Sequence, residues 1–136
     1  MHLVNQRTGD AVATVVEIAA TRATRRQGLL GRASLDASAA MVIAPCFAVH
    51  TMFMRFPIDA VFVDREGTVR KIVTLPAWRA AADVRASAVV EFAAGAARGL
   101  RVGDRLYLSD VSGSVVASFS GASLRSTASN PACSGS

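Results

Sequence analysis

The chain has 136 residues, 51% hydrophobic and 18% charged, with a net charge of +5 at neutral pH. That balance excludes a disordered chain and suffices for one domain whose core stands without disulfides. All but one of the 15 Lys and Arg residues are arginine, Lys71 being the exception, so the charge reflects Ala- and Arg-rich coding more than a nucleic-acid face, which would need interleaved aromatics or a recognition helix.

Cys46 and Cys133 form no CxxC or Cys/His pattern, and His2 and His50 are the only imidazoles. No metal site and no cofactor is expected. The first seven residues lack a basic segment followed by an apolar core, and the apolar run 11–20 contains Glu17 and is too short to span a bilayer. The default expectation is therefore the cytoplasm, without a transmembrane segment. A chain trimmed of a leader would read alike, which keeps a periplasmic location open.

Residues 3–6 read as a short strand, with 11–18 as its partner across the Thr8-Gly9-Asp10 turn. Thr21 is placed to N-cap a short helix and Gly31 to stop it, with the intervening arginines facing water. Residues 39–43, ended by Pro45, then 47–54 and 58–63 are three further strands. The unbroken apolar run of the last predicts burial on both faces. Asp64-Arg65-Glu66-Gly67 signals a hairpin turn returning through 68–75. Residues 76–85 form a connection holding Trp78, 87–92 a strand, 95–100 a short helix or turn, and 105–108 a final strand after Gly103-Asp104.

The expected fold class is α/β, of the α+β type: a single compact β-rich domain over residues 1–109. About eight short strands and two short helices would form a curled antiparallel or mixed sheet, or an open barrel. Residues 110–136 are a Ser/Gly/Ala-rich extension, weakly ordered or adding an edge strand at 115–119. Deletion from residue 112 onward is expected to leave the melting temperature nearly unchanged.

Three stretches carry a family likeness. The first is Arg25-Arg26-Gln27-Gly28-Leu29-Leu30-Gly31-Arg32, the second runs from His50 through Met54-Arg55 to Asp59 and Phe62-Val63-Asp64, and the third is Val90-Glu91-Phe92-Ala93-Ala94-Gly95 followed by Gly103-Asp104. In this order they resemble the prokaryotic family called domain of unknown function 192. The chain departs from the family pattern at Leu30, Phe53 and Phe56-Pro57. The resemblance implies a compact β-rich α/β domain and no established activity.

The candidate ligand-binding residues are His50, Arg55, Asp59, Arg32 and Glu91. On a regular strand His50 shares a face with Met52 and Met54, either as a core histidine bonded to a carbonyl or as a base or ligand contact. Arg55 and Asp59 flank Phe56-Pro57-Ile58, where they either close a turn as an ion pair or anchor an anion. Glu91 stands among apolar neighbours and needs a partner, with Arg32 or Arg55 available. Cys46 and His50, four residues apart in an extended chain, are too distant for a nucleophile–base pair, so an inert thiol is expected. No Walker loop, GxGxxG, GxSxG or HExxH occurs.

Three functions fit these residues. One is a small binding or accessory domain with a pocket around residues 50–59. The second is a hydrolase or group-transfer enzyme using Asp59 or His50, with Arg55 as anion anchor. The third is a protein–protein interaction module whose sheet edge or tail docks a partner. The partner is thus an unknown small molecule or protein, and catalytic residues are unassigned.

Overall fold

A computed structural model describes residues 1–110, 112–117, 119 and 124. In chain order the elements are β1 (His2–Asn5), β2 (Ala11–Ala13), β3 (Val15–Ala19), α1 (Arg22–Gln27), β4 (Ala39–Ile43), β5 (Ala48–His50), β6 (Ile58–Val63), β7 (Val69–Leu75), β8 (Ala80–Ala82), β9 (Ala88–Ala93), β10 (Leu106–Ser109) and β11 (Val115–Ala117). They form three sheets: a four-stranded one in the order β11-β10-β1-β2, a five-stranded one in the order β3-β4-β9-β6-β7, and the two-stranded ribbon β5-β8. The domain is β-rich, as the sequence suggests. Its sheets are mixed, because β3 and β4 run parallel with α1 in their crossover, while the other pairs are antiparallel. Among the described residues no sheet closes into a barrel.

The five-stranded sheet is the middle layer. β6 lies between β9 and β7 and is buried along its whole length, which is why its sequence is apolar without alternation. One face, with Val42, Val61, Val63, Val90 and Phe92, packs against Leu3, Leu106 and Leu108 of the four-stranded sheet. The other, with Met41, Ile43, Ala60, Phe62 and Val89, is covered by Leu29, Val49 and Met54. The chain crosses between the large sheets at Thr14, whose N–H, like that of Val15, donates to the Ser38 carbonyl. The predicted strand 11–18 is therefore split into β2 and β3, each serving a different sheet.

Three further expectations are corrected. Over residues 1–110 there is one helix, α1, not two. At 95–100 the N–H groups of Ala96, Arg98 and Leu100 donate to carbonyls three residues back, and Gly95 takes φ +87°, so this segment forms successive tight turns. Second, α1 ends at Gly28, φ +47°, and not at Gly31. Its start is as read: Thr21 Oγ1 accepts from the Thr24 N–H and Thr24 Oγ1 from the Thr21 N–H, the reciprocal arrangement of a capping box. Third, the strand expected over 47–54 stops at His50, because Thr51 turns its N–H to the Arg79 carbonyl and Phe53 takes a left-handed φ of +65°.

At the C-terminal end Val115–Ala117 is the edge strand the sequence allowed for. Phe119 and Leu124 are buried in the core between the two large sheets. The weak order expected of the rest of 110–136 falls outside the described residues, as does Cys133.

Candidate functional site

Parity along the strands separates the two carboxylates that the sequence placed together. Asp59 stands opposite Phe92 and Thr74, whereas its neighbour Ala60 stands opposite Glu91. Adjacent residues of a strand point to opposite faces, so Asp59 and Glu91 lie on opposite sides of the middle sheet.

Asp59 is fully engaged. One carboxylate oxygen accepts from Thr74 Oγ1 at 2.7 Å, and the other from the N–H groups of Gly95 and Ala97 at 2.9 and 3.1 Å. It pins the 94–99 turns to β6. Arg55 is exposed and forms no ion pair among the described residues, so the Arg55–Asp59 pair expected across the turn is not made. Arg32 pairs at 2.6 Å with Glu17, both well exposed, and not with Glu91. Such a surface pair contributes about 0–1 kcal/mol.

Glu91 is different. It is only 4% exposed, and its Oε2 has no hydrogen-bond partner among the described residues. Burial pushes its carboxyl from about 4.5 up to about 7. A buried, unpartnered carboxylate oxygen is expensive, and the Glu91 residue that carries it is one of those lining a cavity of about 370 Å³. The apolar wall is Leu29, Leu30, Ile43, Val49 and Met54, and Arg22, Arg25 and Arg26 of α1 line the same space. Arg25 is tied by Nη1 to the Pro45 carbonyl at 3.0 Å, while Arg22 and Arg26 make no side-chain hydrogen bond among the described residues.

Cys46 and His50 also line the cavity. The Cys46 Sγ–H donates to the Ala48 carbonyl at 3.1 Å. Burial, seconded by the nearby Glu91 charge, pushes the thiol up, so Cys46 is a poor nucleophile at neutral pH. His50 is exposed at the rim rather than in the core.

The structure thus brings together two of the five candidates, His50 and Glu91, and leaves Arg32, Arg55 and Asp59 outside the cavity lining. Sequence reasoning missed Arg22, Arg25 and Arg26, because arginines on a short helix read as solvated. A signal was present: the stretches 25–32, 50–64 and 90–95 each contribute to the lining, through Arg25, Gly28 and Leu29, through His50 and Met54, and through Glu91.

A second feature lies outside the cavity. Phe53 and Trp78 are 74% and 56% exposed, with ring centroids 4.7 Å apart. Both take φ +65°, a left-handed conformation costing on the order of 1–3 kcal/mol per non-glycine residue. Thr51 holds the two loops together: its Oγ1 accepts from the Arg79 N–H at 2.9 Å and its carbonyl from the Trp78 N–H at 3.0 Å.

Fold and cavity define a small β-rich domain with a polar-floored pocket under a short helix. The chain belongs to the family of domain of unknown function 192, whose model, described as Uncharacterized ACR, matches residues 3–108. Two crystal structures are similar in fold. One, from Sinorhizobium meliloti 1021 and described as a "putative transcription regulator", has a TM-score of 0.66 at 24% identity over 77% of this chain and 88% of that one. The other, a protein of unknown function from Novosphingobium aromaticivorans DSM 12444, has a TM-score of 0.62 at 24% identity over 68% of this chain and 74% of that one. No curated protein matches the chain.

Proposed function

We propose that the protein is a small-molecule-binding domain whose site is the cavity between α1, β5 and the Glu91 face of the middle sheet. The observation that carries this reading is that Glu91, buried with one carboxylate oxygen unpartnered, lines a space of about 370 Å³ where the three family-like stretches meet. Pockets of small ligands typically have a few hundred Å³, an apolar lining and a small number of placed polar groups. The acid–base reading with Asp59 and His50 is weaker, since Asp59 lies on the opposite face with both oxygens engaged.

A thermal-shift screen of small metabolites tests the binding reading, comparing wild type with Glu91→Gln and Arg26→Ala. A stabilising compound whose effect shrinks in either variant supports the site. Compounds that stabilise all three proteins equally, or none that stabilises wild type, reject it.

A second reading, a protein-interaction module, draws support from the exposed Phe53–Trp78 pair held in left-handed backbone, since strain of that kind collects at functional surfaces. Replacing both rings by Ser leaves the buried core untouched. Loss of a co-purifying protein in that variant supports this reading, and unchanged recovery rejects it.

A further inference from the structure

Resting on the binding reading, we propose that the cavity selects a small bipolar molecule, with an ammonium group for Glu91 and a carboxylate or phosphate for the α1 arginines, joined by a short aliphatic spacer. The argument starts from the two poles of the cavity. Glu91 brings a carboxylate whose Oε2 is buried without a partner, and the helix brings Arg22, Arg25 and Arg26 to the same space.

These charges do not neutralise one another. Among the described residues Glu91 forms no ion pair with any arginine, and Arg25 is tied to the Pro45 carbonyl, so carboxylate and guanidinium groups form separate poles. An anion alone would engage the arginines and leave Glu91 unpaired. A monoamine would engage Glu91 and leave the arginines bare. One molecule with both groups satisfies both ends.

The chemistry at each end is specific. A buried carboxylate with an open acceptor site is matched by a cationic N–H donor through a charge-assisted hydrogen bond. Guanidinium groups favour planar carboxylate or tetrahedral phosphate oxygens over halide-like ions. Arg22 and Arg26 have their side-chain donors free of partners among the described residues, and Arg25, tied to the Pro45 carbonyl, is held in place at the cavity. Between the poles the wall is aliphatic, supplied by Leu29, Ile43, Val49 and Met54. Such a wall favours methylene groups over further polar ones.

The test is titration calorimetry on the full chain with a graded series: glycine, 3-aminopropanoate, 4-aminobutanoate, 5-aminopentanoate and 6-aminohexanoate, with butanoate and butylamine as single-pole controls. Phosphoethanolamine and ethyl phosphate form the phosphate arm. At least one bipolar probe should bind about tenfold or more tighter than either matching single-pole probe, the expected margin for an added charge-assisted bond. Glu91→Gln should erase that margin while keeping the affinity for the anion alone, and Glu91→Met serves as a second variant of similar length. Arg22→Ala with Arg26→Ala should weaken every anionic probe. Whichever arm binds better assigns the anion as carboxylate or phosphate.

Equal binding of butanoate and 4-aminobutanoate, unchanged in Glu91→Gln, overturns the bipolar assignment while leaving the pocket as an anion site. Silence from every probe also overturns it, and the metabolite screen then decides separately whether the cavity binds anything.

Discussion

Asp59 and Glu91 are both buried acids on neighbouring central strands, yet they do opposite things because they point to opposite faces. Asp59 accepts three hydrogen bonds and fastens the 94–99 turns to β6. Asp59→Ala would leave the Gly95 and Ala97 N–H groups without their acceptor, and should cost about 2–4 kcal/mol in urea unfolding. Arg55→Ala, at an exposed and unpaired side chain, should change stability by no more than about 0.5 kcal/mol. Equal losses for the two would restore the ion pair that the spacing suggested.

Glu91 carries a pH signature. Its carboxyl titrates near 7 in the folded protein and near 4.5 when exposed, so between those values the folded state binds more protons than the unfolded one. Stability from this group is fully present below about pH 4.5, declines as pH rises to about 7, and is flat above, the full span being about 3 kcal/mol. Glu91→Gln, which does not ionise, should exceed wild type by up to that amount at pH 8 and lose most of the advantage near pH 4.5. Urea titrations at three pH values measure this. A pH-independent difference would mean that Glu91 is solvated or paired. The group that weakens the fold is the one proposed to bind ligand, a familiar compromise between stability and function.

At the scale of elements, the β6–β7 hairpin decides how the two large sheets meet. Asp64 Oδ1 accepts from the N–H groups of Glu66 and Thr68, and Gly67 closes the turn at φ +84°. The Gly67 carbonyl then accepts from the Leu106 N–H at 2.8 Å, joining the turn to β10. A Cβ on Gly67 would overlap the Leu106 carbonyl oxygen and press on the Phe119 ring at 3.0 Å. Gly67→Ala therefore combines backbone strain with a clash against main chain and should destabilise by about 3 kcal/mol or more. Gly9→Ala, at φ +74° with nothing within 4 Å, isolates the strain alone and should cost about 1–2 kcal/mol. Thermal denaturation of the two variants separates the effects; equal losses would mean that the sheets can part at this corner.

The whole molecule holds its site by layering. The four-stranded sheet supports one face of the middle sheet, and the connection carrying α1 and the β5-β8 ribbon covers the other. A six-residue helix with no buried side chain has little stability of its own. It keeps its place through Leu29, which is buried just beyond its end, and through the Arg25 tie to Pro45.

The far layer depends on the C-terminal segment, since Phe119 is 1% exposed. Phe119→Ala should cost about 3–5 kcal/mol as a core cavity. Deletion from residue 112 should consequently lower the melting temperature by many degrees, contrary to what composition alone suggests. Differential scanning calorimetry on both proteins checks this, and an unchanged transition would place Phe119 outside the cooperative core.

Features that depend on local pattern are legible in the order of the amino acids. The unbroken apolar run of β6, the Asp64–Gly67 turn, the Thr21 cap and the hairpin order are all legible, because strand burial, turn chemistry and capping act over a few residues. The amino-acid order also presents the three stretches that meet at the cavity. Which polar residues share a site follows from long-range packing. Strand register set Glu91 and Asp59 on different faces, the Thr51 turn sent Arg55 outward, and the parallel crossover laid the α1 arginines over Glu91 instead of leaving them as a solvated face. Register and crossover are fixed by packing between residues distant in sequence, and a one-residue slip reverses every face. The burial of Phe119 has the same origin: it comes from what β10 and the Gly67 turn bring to the ring, not from its neighbours along the chain.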